Sequence, residues 1–150
     1  MSGHSAPARD TPASRAAFPF RYEIATRWAD MDVYGHVNNV VFYSFFDTAV
    51  NVYLMREAGL EPARSPVIGL VVETRCVYFR SVEIPEPVIA GVRVARLGGS
   101  SVRYEVGIFQ GTEDTACAQG HFVHVYVDRQ TRRPVPLPEP LRAALAKLAV

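Results

Sequence analysis

Between Val40 and Glu57 the spacing of apolar residues is helical, and Phe42, Phe45, Phe46, Ala49, Val50, Val52, Tyr53 and Leu54 cover most of such a helix. The polar residues Ser44, Asp47, Thr48 and Asn51 recur at i, i+3, i+4, i+7 and form one narrow stripe. A helix this apolar must be buried on most sides. Ala58-Gly59 ends it, the glycine supplying a left-handed cap, and Pro62 and Pro66 confirm the break. The covering layer has to be β structure. Strands are expected over Val67 to Phe79, Pro87 to Leu97, Ser101 to Gln110 and Thr115 to Asp128, with a first strand in Phe18 to Arg27. Gly98-Gly99 marks a tight hairpin, and the short connections make the pairs antiparallel. Pro138 to Leu148 is a short final helix. The expected class is α+β, an antiparallel β-sheet wrapped around one long central helix. Such a sheet has open edges and buries little on its outer face, so pairing with a second copy is expected.

Residues 1–17, rich in Ala, Ser and Pro without periodicity, read as a disordered N-terminal tail ahead of a single domain over 18–150. With 150 residues, 49% of them hydrophobic, the chain suffices for one core. Lys+Arg 16 against Asp+Glu 15 leaves no net field to attract nucleic acid or an anionic membrane. Cys76 and Cys117 lie in strand-like runs without metal-ligand spacing and read as buried free thiols. The sequence has no signal peptide and no run long enough to span a bilayer, which points to a cytoplasmic protein.

The stretch ADMDVYGHVNNVVFY (29–43) crowds two carboxylates, a histidine, a glycine and two asparagines ahead of the helix. Asp30-Met-Asp32-Val-Tyr34-Gly35 begins like a calcium loop, but Tyr34 occupies its fifth position and Val41 stands where the bidentate acid is required. No metal is expected. Asn38 or Asn39 suits N-capping. A helix N-terminus presents free N–H groups that stabilise the oxyanion of an attacked carbonyl. Asp32, on the loop leading into it, is placed to act as nucleophile or general base, and Gly35 lets a substrate approach the backbone. Carbonyl activation plus a carboxylate describes acyl transfer or hydrolysis.

The run RWADMDVYGHVNNVVFYSFFD resembles the motif of hotdog-fold acyl-CoA thioesterases of the 4-hydroxybenzoyl-CoA thioesterase type, and is also similar to a stretch of plant acyl-ACP thioesterases. VVETRCVYFRSVEIPE, RLGGSSVRYEVGIF and HFVHVYVDRQTRRPVPLPEPLR resemble further segments of that family, so the likeness spans about Tyr22 to Leu141. It implies a hotdog fold, hydrolysis of an acyl-CoA or acyl-ACP thioester without metal or redox cofactor, and a homodimer or homotetramer. It further implies that Asp32 is the catalytic carboxylate and that the Asn39 N–H polarises the thioester carbonyl. His36 matches a histidine of the acyl-ACP enzymes that assists the water or orients the acid. Tyr34, Gly35 and Asn38 shape the substrate-binding loop; Asp30 is read as a loop-structuring group and Asp47 as an internal hydrogen-bonding residue.

Several positions depart from the family. Tyr34 replaces an asparagine, Phe42 a tyrosine, and Ser81 a proline. The hairpin that carries basic residues against CoA phosphates in the 4-hydroxybenzoyl-CoA enzyme is Gly98-Gly99-Ser100 here, which leaves Arg80, Arg96 or Arg103 as the candidate phosphate contacts. Two alternatives use the same fold: a non-catalytic acyl-CoA-binding module, and a hydratase or dehydratase.

Overall fold

The computed structural model describes residues 10–150. Strand β1 (Phe20–Ile24) is followed by helix α1 (Val41–Glu57), strands β2 (Val67–Tyr78), β3 (Val88–Leu97), β4 (Ser101–Gln110) and β5 (Ala118–Asp128), and helix α2 (Glu139–Ala146). The strands form one antiparallel sheet in the order β1-β3-β4-β5-β2. The architecture is α+β, as the alternation of strand and helix periods implies.

Alternation along the strands decides which face is buried. Val88, Ala90, Val92 and Val94 of β3 and Val102, Tyr104, Val106 and Ile108 of β4 point into one core. Phe45, Phe46, Ala49, Val50 and Tyr53 of α1 fill it from the other side. The polar stripe of α1 stays outside, where Asn51 Nδ2 donates to Asp47 Oδ1 at 2.9 Å and to the Asp47 carbonyl at 2.8 Å. This is the internal hydrogen bond expected for Asp47. At the far end Gly59, at φ +68, turns the chain so that the Leu60 N–H reaches the Leu54 carbonyl at 3.1 Å. Helix α2 buries Ala144 and Leu145, and its Ala144 carbonyl accepts the Tyr53 hydroxyl at 2.6 Å.

Three expectations need correction. Residues 1–9 of the expected tail lie outside the described residues, but 10–17 are docked on the sheet. The Arg15 N–H donates to Asp114 O at 3.0 Å, Ala116 N–H to Ala13 O at 2.9 Å, and Ala13 N–H to Gln119 Oε1 at 2.8 Å. Phe18, expected in the first strand, instead lies across the outer face with 2% of its surface exposed. Gly91 and Gly107 are register partners on β3 and β4, and a Cβ on either would come within 2.7 Å of Phe18. The paired glycines form a socket for the ring. The last strand also begins later than Thr115, because the Cys117 carbonyl accepts both Phe79 N–H and Arg80 N–H and leaves the ladder.

Strand β2 is an edge. A bulge between Val71 and Glu73 breaks its register with β5, and Val71 through Arg75 are exposed. Val72 keeps 60% of its surface open to solvent.

Candidate active site at the N-terminus of α1

The loop before α1 is held by its own backbone. Asp30 is buried, its carboxylate accepting the Arg27 N–H at 2.8 Å and the Arg27 guanidinium at 2.8 and 3.1 Å. That pairing raises the Arg27 pKa, first through the hydrogen bond and then through charge. The Asp30 carbonyl accepts the Asn38 N–H at 2.8 Å, and the Asp32 N–H donates to His36 O at 2.9 Å. Gly35, at φ +83, makes the tight reversal between these bonds, a conformation side-chain-bearing residues resist. Asn38 then caps the coming helix, its Oδ1 accepting the Val40 N–H at 3.0 Å and its carbonyl the Val41 N–H at 3.0 Å. Asn39 is left out of this scheme. Its N–H has no hydrogen-bond partner among the described residues.

Asp32, Tyr34, His36, Asn39 and Phe42 line one open groove of about 470 Å³ together with Tyr78, Arg80 and Val82. Asp32 Oδ1 accepts the Tyr34 N–H at 2.8 Å, and Oδ2 has no partner among the described residues. The His36 Nδ1 is buried without a partner. A half-buried carboxylate with one free oxygen therefore shares a groove with an unpaired amide at a positive helix end. Such a groove can activate a carbonyl and deliver a base or nucleophile to it.

Tyr78 belongs to the site although its sequence signal was only its place in the VVETRCVYFR segment. Its hydroxyl donates to the Asn39 carbonyl at 2.7 Å and its ring packs edge-on against Phe42 at 5.1 Å. Burial, with Cys76 and Tyr43 nearby, raises the Tyr78 pKa, so the hydroxyl stays a donor. Burial likewise pushes the Cys76 thiol up to about 11. Arg80 lines the groove, but its guanidinium is anchored on Thr115 O at 2.7 Å and Thr115 Oγ1 at 3.0 Å. Arg96 and Arg103 face each other across β3 and β4, five residues along β4 from Ile108. Ile108 pairs with Ala118, which pairs with Tyr78 beside the groove, so the two arginines stand about 17 Å along the strands from that row, and two strands across the sheet or more. One chain does not bring them to the groove. The hairpin at Gly98-Gly99 is engaged from within, its carbonyls accepting Arg142 at 2.8 Å and the Leu137 N–H at 3.0 Å. Among the described residues no group of three or more His, Cys, Asp or Glu is placed to hold a metal ion.

Comparison with known proteins places this geometry in a family. The PA5185 protein of Pseudomonas aeruginosa is 50% identical, with 93% of this chain and 97% of that one aligned at a TM-score of 0.91. A thioesterase from Thermus thermophilus, solved with coenzyme A and zinc, is 33% identical over 88% of this chain and 95% of that one, at a TM-score of 0.72. The uncharacterized protein YsmA of Bacillus subtilis is 23% identical over 121 residues, 81% of each chain. Residues 26–145, which include the whole groove, match the model of the thioesterase-like superfamily, and the chain belongs to that family of hotdog-fold enzymes.

Proposed function

We propose that the protein hydrolyses an acyl-CoA or acyl-ACP thioester at the groove, with Asp32 as base or nucleophile and the Asn39 N–H as oxyanion donor. The observation that carries this is the unpaired Asn39 amide in the same groove as the free Oδ2 of Asp32. With Asp32 as base, it takes a proton from water while the oxygen attacks the carbonyl carbon. The oxyanion lies against the Asn39 N–H, the C–S bond then breaks, and the thiolate leaves. With Asp32 as nucleophile, the carboxylate forms an acyl anhydride, thiolate leaves, and water hydrolyses the anhydride. Both routes balance with water alone, so the reading includes no metal or redox cofactor. In this reading His36, which lines the same groove, assists the water or orients Asp32, and Tyr78 is a positioning residue that fixes residue 39.

In this reading α1 is the central helix about which the sheet curls, and the exposed β2 edge pairs with a second copy to give a homodimer. The 33% identity to a thioesterase solved with coenzyme A favours CoA as carrier. No helix among the described residues is long and apolar enough to cross a membrane, and we assign the protein to the cytoplasm. The test is thiol release by the purified protein across short, long and aromatic acyl-CoAs. Hydrolysis of at least one class is expected. Thermal stabilisation by acyl-CoAs with no thiol released from any of them would replace the hydrolase with a binding module.

A further inference from the structure

A second cavity, of about 580 Å³, opens at the other end of α1 and shares no residue with the groove. Its walls include Leu54, Leu60, Val67 and Leu141, and on one side it meets His124 and Tyr126. His124 is 2% exposed. Burial drops its pKa to about 4, so the ring is neutral and carries a single proton at neutral pH. Gly69 leaves room for it, since a Cβ there would stand 2.6 Å from Nδ1.

The position of that proton follows from the neighbours. The fully buried Tyr104 hydroxyl has one partner among the described residues, the Tyr126 hydroxyl at 2.6 Å, and Tyr126 in turn lies 3.3 Å from His124 Nδ1. Burial raises the pKa of both tyrosines, so both keep their protons. If Tyr104 donates to Tyr126 and Tyr126 donates to Nδ1, both tyrosine hydroxyls are satisfied. The opposite direction strands the Tyr104 O–H in the core, at the cost of an unmade buried hydrogen bond. The first arrangement satisfies both tyrosine hydroxyls and places the imidazole proton on Nε2. Nδ1 makes the one side-chain hydrogen bond of this ring among the described residues, and Nε2 is not one of the sealed-off unpaired atoms there, which are His36 Nδ1 and His121 Nε2.

The wall also carries Thr48, Ser65, Asn51, which is bonded to Asp47, and Arg129, which is bonded to the Ser65 and Pro62 carbonyls. A mainly apolar cavity of ligand size with the His124 donor at its wall is a binding site for a mostly apolar group that ends in, or carries, a hydrogen-bond acceptor. Asp47 and Asn51 line it and lie eight and twelve residues beyond Asn39, about 12 and 18 Å along the helix axis. We propose that this cavity receives the distal part of the acyl group and that His124 selects acyl chains bearing a hydroxyl or oxo oxygen remote from the thioester. The assignment rests on the thioesterase reading of the groove. A short acyl group ends before the cavity and is not sorted by it.

The test compares two CoA thioesters of equal chain length, one plain and one with a hydroxyl near its far end. Wild type is expected to favour the hydroxylated substrate in kcat/KM by roughly tenfold or more, because a site built to hydrogen-bond a substrate group discriminates against its absence. His124→Phe should bring the ratio close to one. Because His124 is buried, Leu141→Trp at the half-buried rim is measured in parallel, and should raise KM for both long substrates but not for a short acyl-CoA. Calorimetry of the free hydroxy acid against the plain acid, on wild type, reads the cavity without any hydrolysis. It separates failure of this proposal from failure of the groove assignment. Equal affinity for the two acids, or an unchanged ratio in folded His124→Phe, overturns the proposal.

Discussion

At one end of α1 the groove around Asp32 is drawn from two short segments, residues 32–42 and residues 78–82 at and after the end of β2. The cavity at the other end is assembled from α1, the segment after Gly59, β2, β5 and the prolines before α2. The first mixes polar and apolar groups about equally, and its geometry is set by backbone hydrogen bonds within one loop and by the Val37 N–H donating to the Val82 carbonyl. The second is mainly apolar and depends on side chains that meet only after the sheet has formed. A reaction centre built on a contiguous loop can stay constant while the surrounding chain varies, whereas a pocket built from many segments changes with each of them. On the proposed reading, chemistry belongs to one end of the helix and selectivity to the other.

The two ends should respond differently to acid and to mutation. The largest expected effect on stability belongs to the cavity end. His124 ionises near 6.5 when unfolded and at about 4 in the fold, so its neutral form stabilises the fold fully above about pH 6.5. That contribution is lost as pH falls from 6.5 towards 4, and it amounts to roughly 3 kcal/mol. Urea unfolding at stepped pH should show this slope in wild type and a much weaker one in His124→Gln; equal slopes would detach the effect from His124. At the groove end, Gly35→Ala forces a side chain into a left-handed conformation at about 1–2 kcal/mol. It should reduce stability by that amount and lower kcat more than it raises KM, and an unchanged kcat would show that the loop turn does not position Asp32. The smallest effect is expected from Tyr78→Phe, which removes one partly exposed hydrogen bond to the Asn39 carbonyl worth about 0.5–1 kcal/mol. Its kcat/KM should fall a few-fold with the pH profile unmoved.

The same contrast explains what was legible in the chain. Val102 to Ile108 alternates strictly, and the strand expected over Ser101 to Gln110 matches residue for residue; α1 begins one residue from its expected start because its apolar periodicity is unbroken. That Asp32, His36 and Asn39 share a groove, with Gly35 and Asn38 shaping the loop beside it, was legible because these residues are close in sequence and each type has a distinct role at a helix start. Tyr78 was missed as a groove residue because its contact with Asn39 spans 39 positions and depends on the β2–β5 register. The Phe18 socket was missed for a similar reason: it needs two glycines from separate strands to meet as register partners. His124 looked like one more residue in a β-strand, since its partners Tyr104 and Tyr126 become neighbours only through sheet pairing. Arg96 and Arg103 were attractive as phosphate contacts on charge alone, and the strand geometry sets them far from the groove of their own chain.

The most direct test of the account is hydrolysis by Asp32→Asn. The substitution retains an oxygen that can accept the Tyr34 N–H, so the loop should keep its shape, as circular dichroism and an unchanged unfolding midpoint would verify. The account predicts that acyl-CoA binding persists while kcat falls on the order of a hundredfold or more. A folded Asp32→Asn protein that releases thiol at the wild-type rate would contradict it.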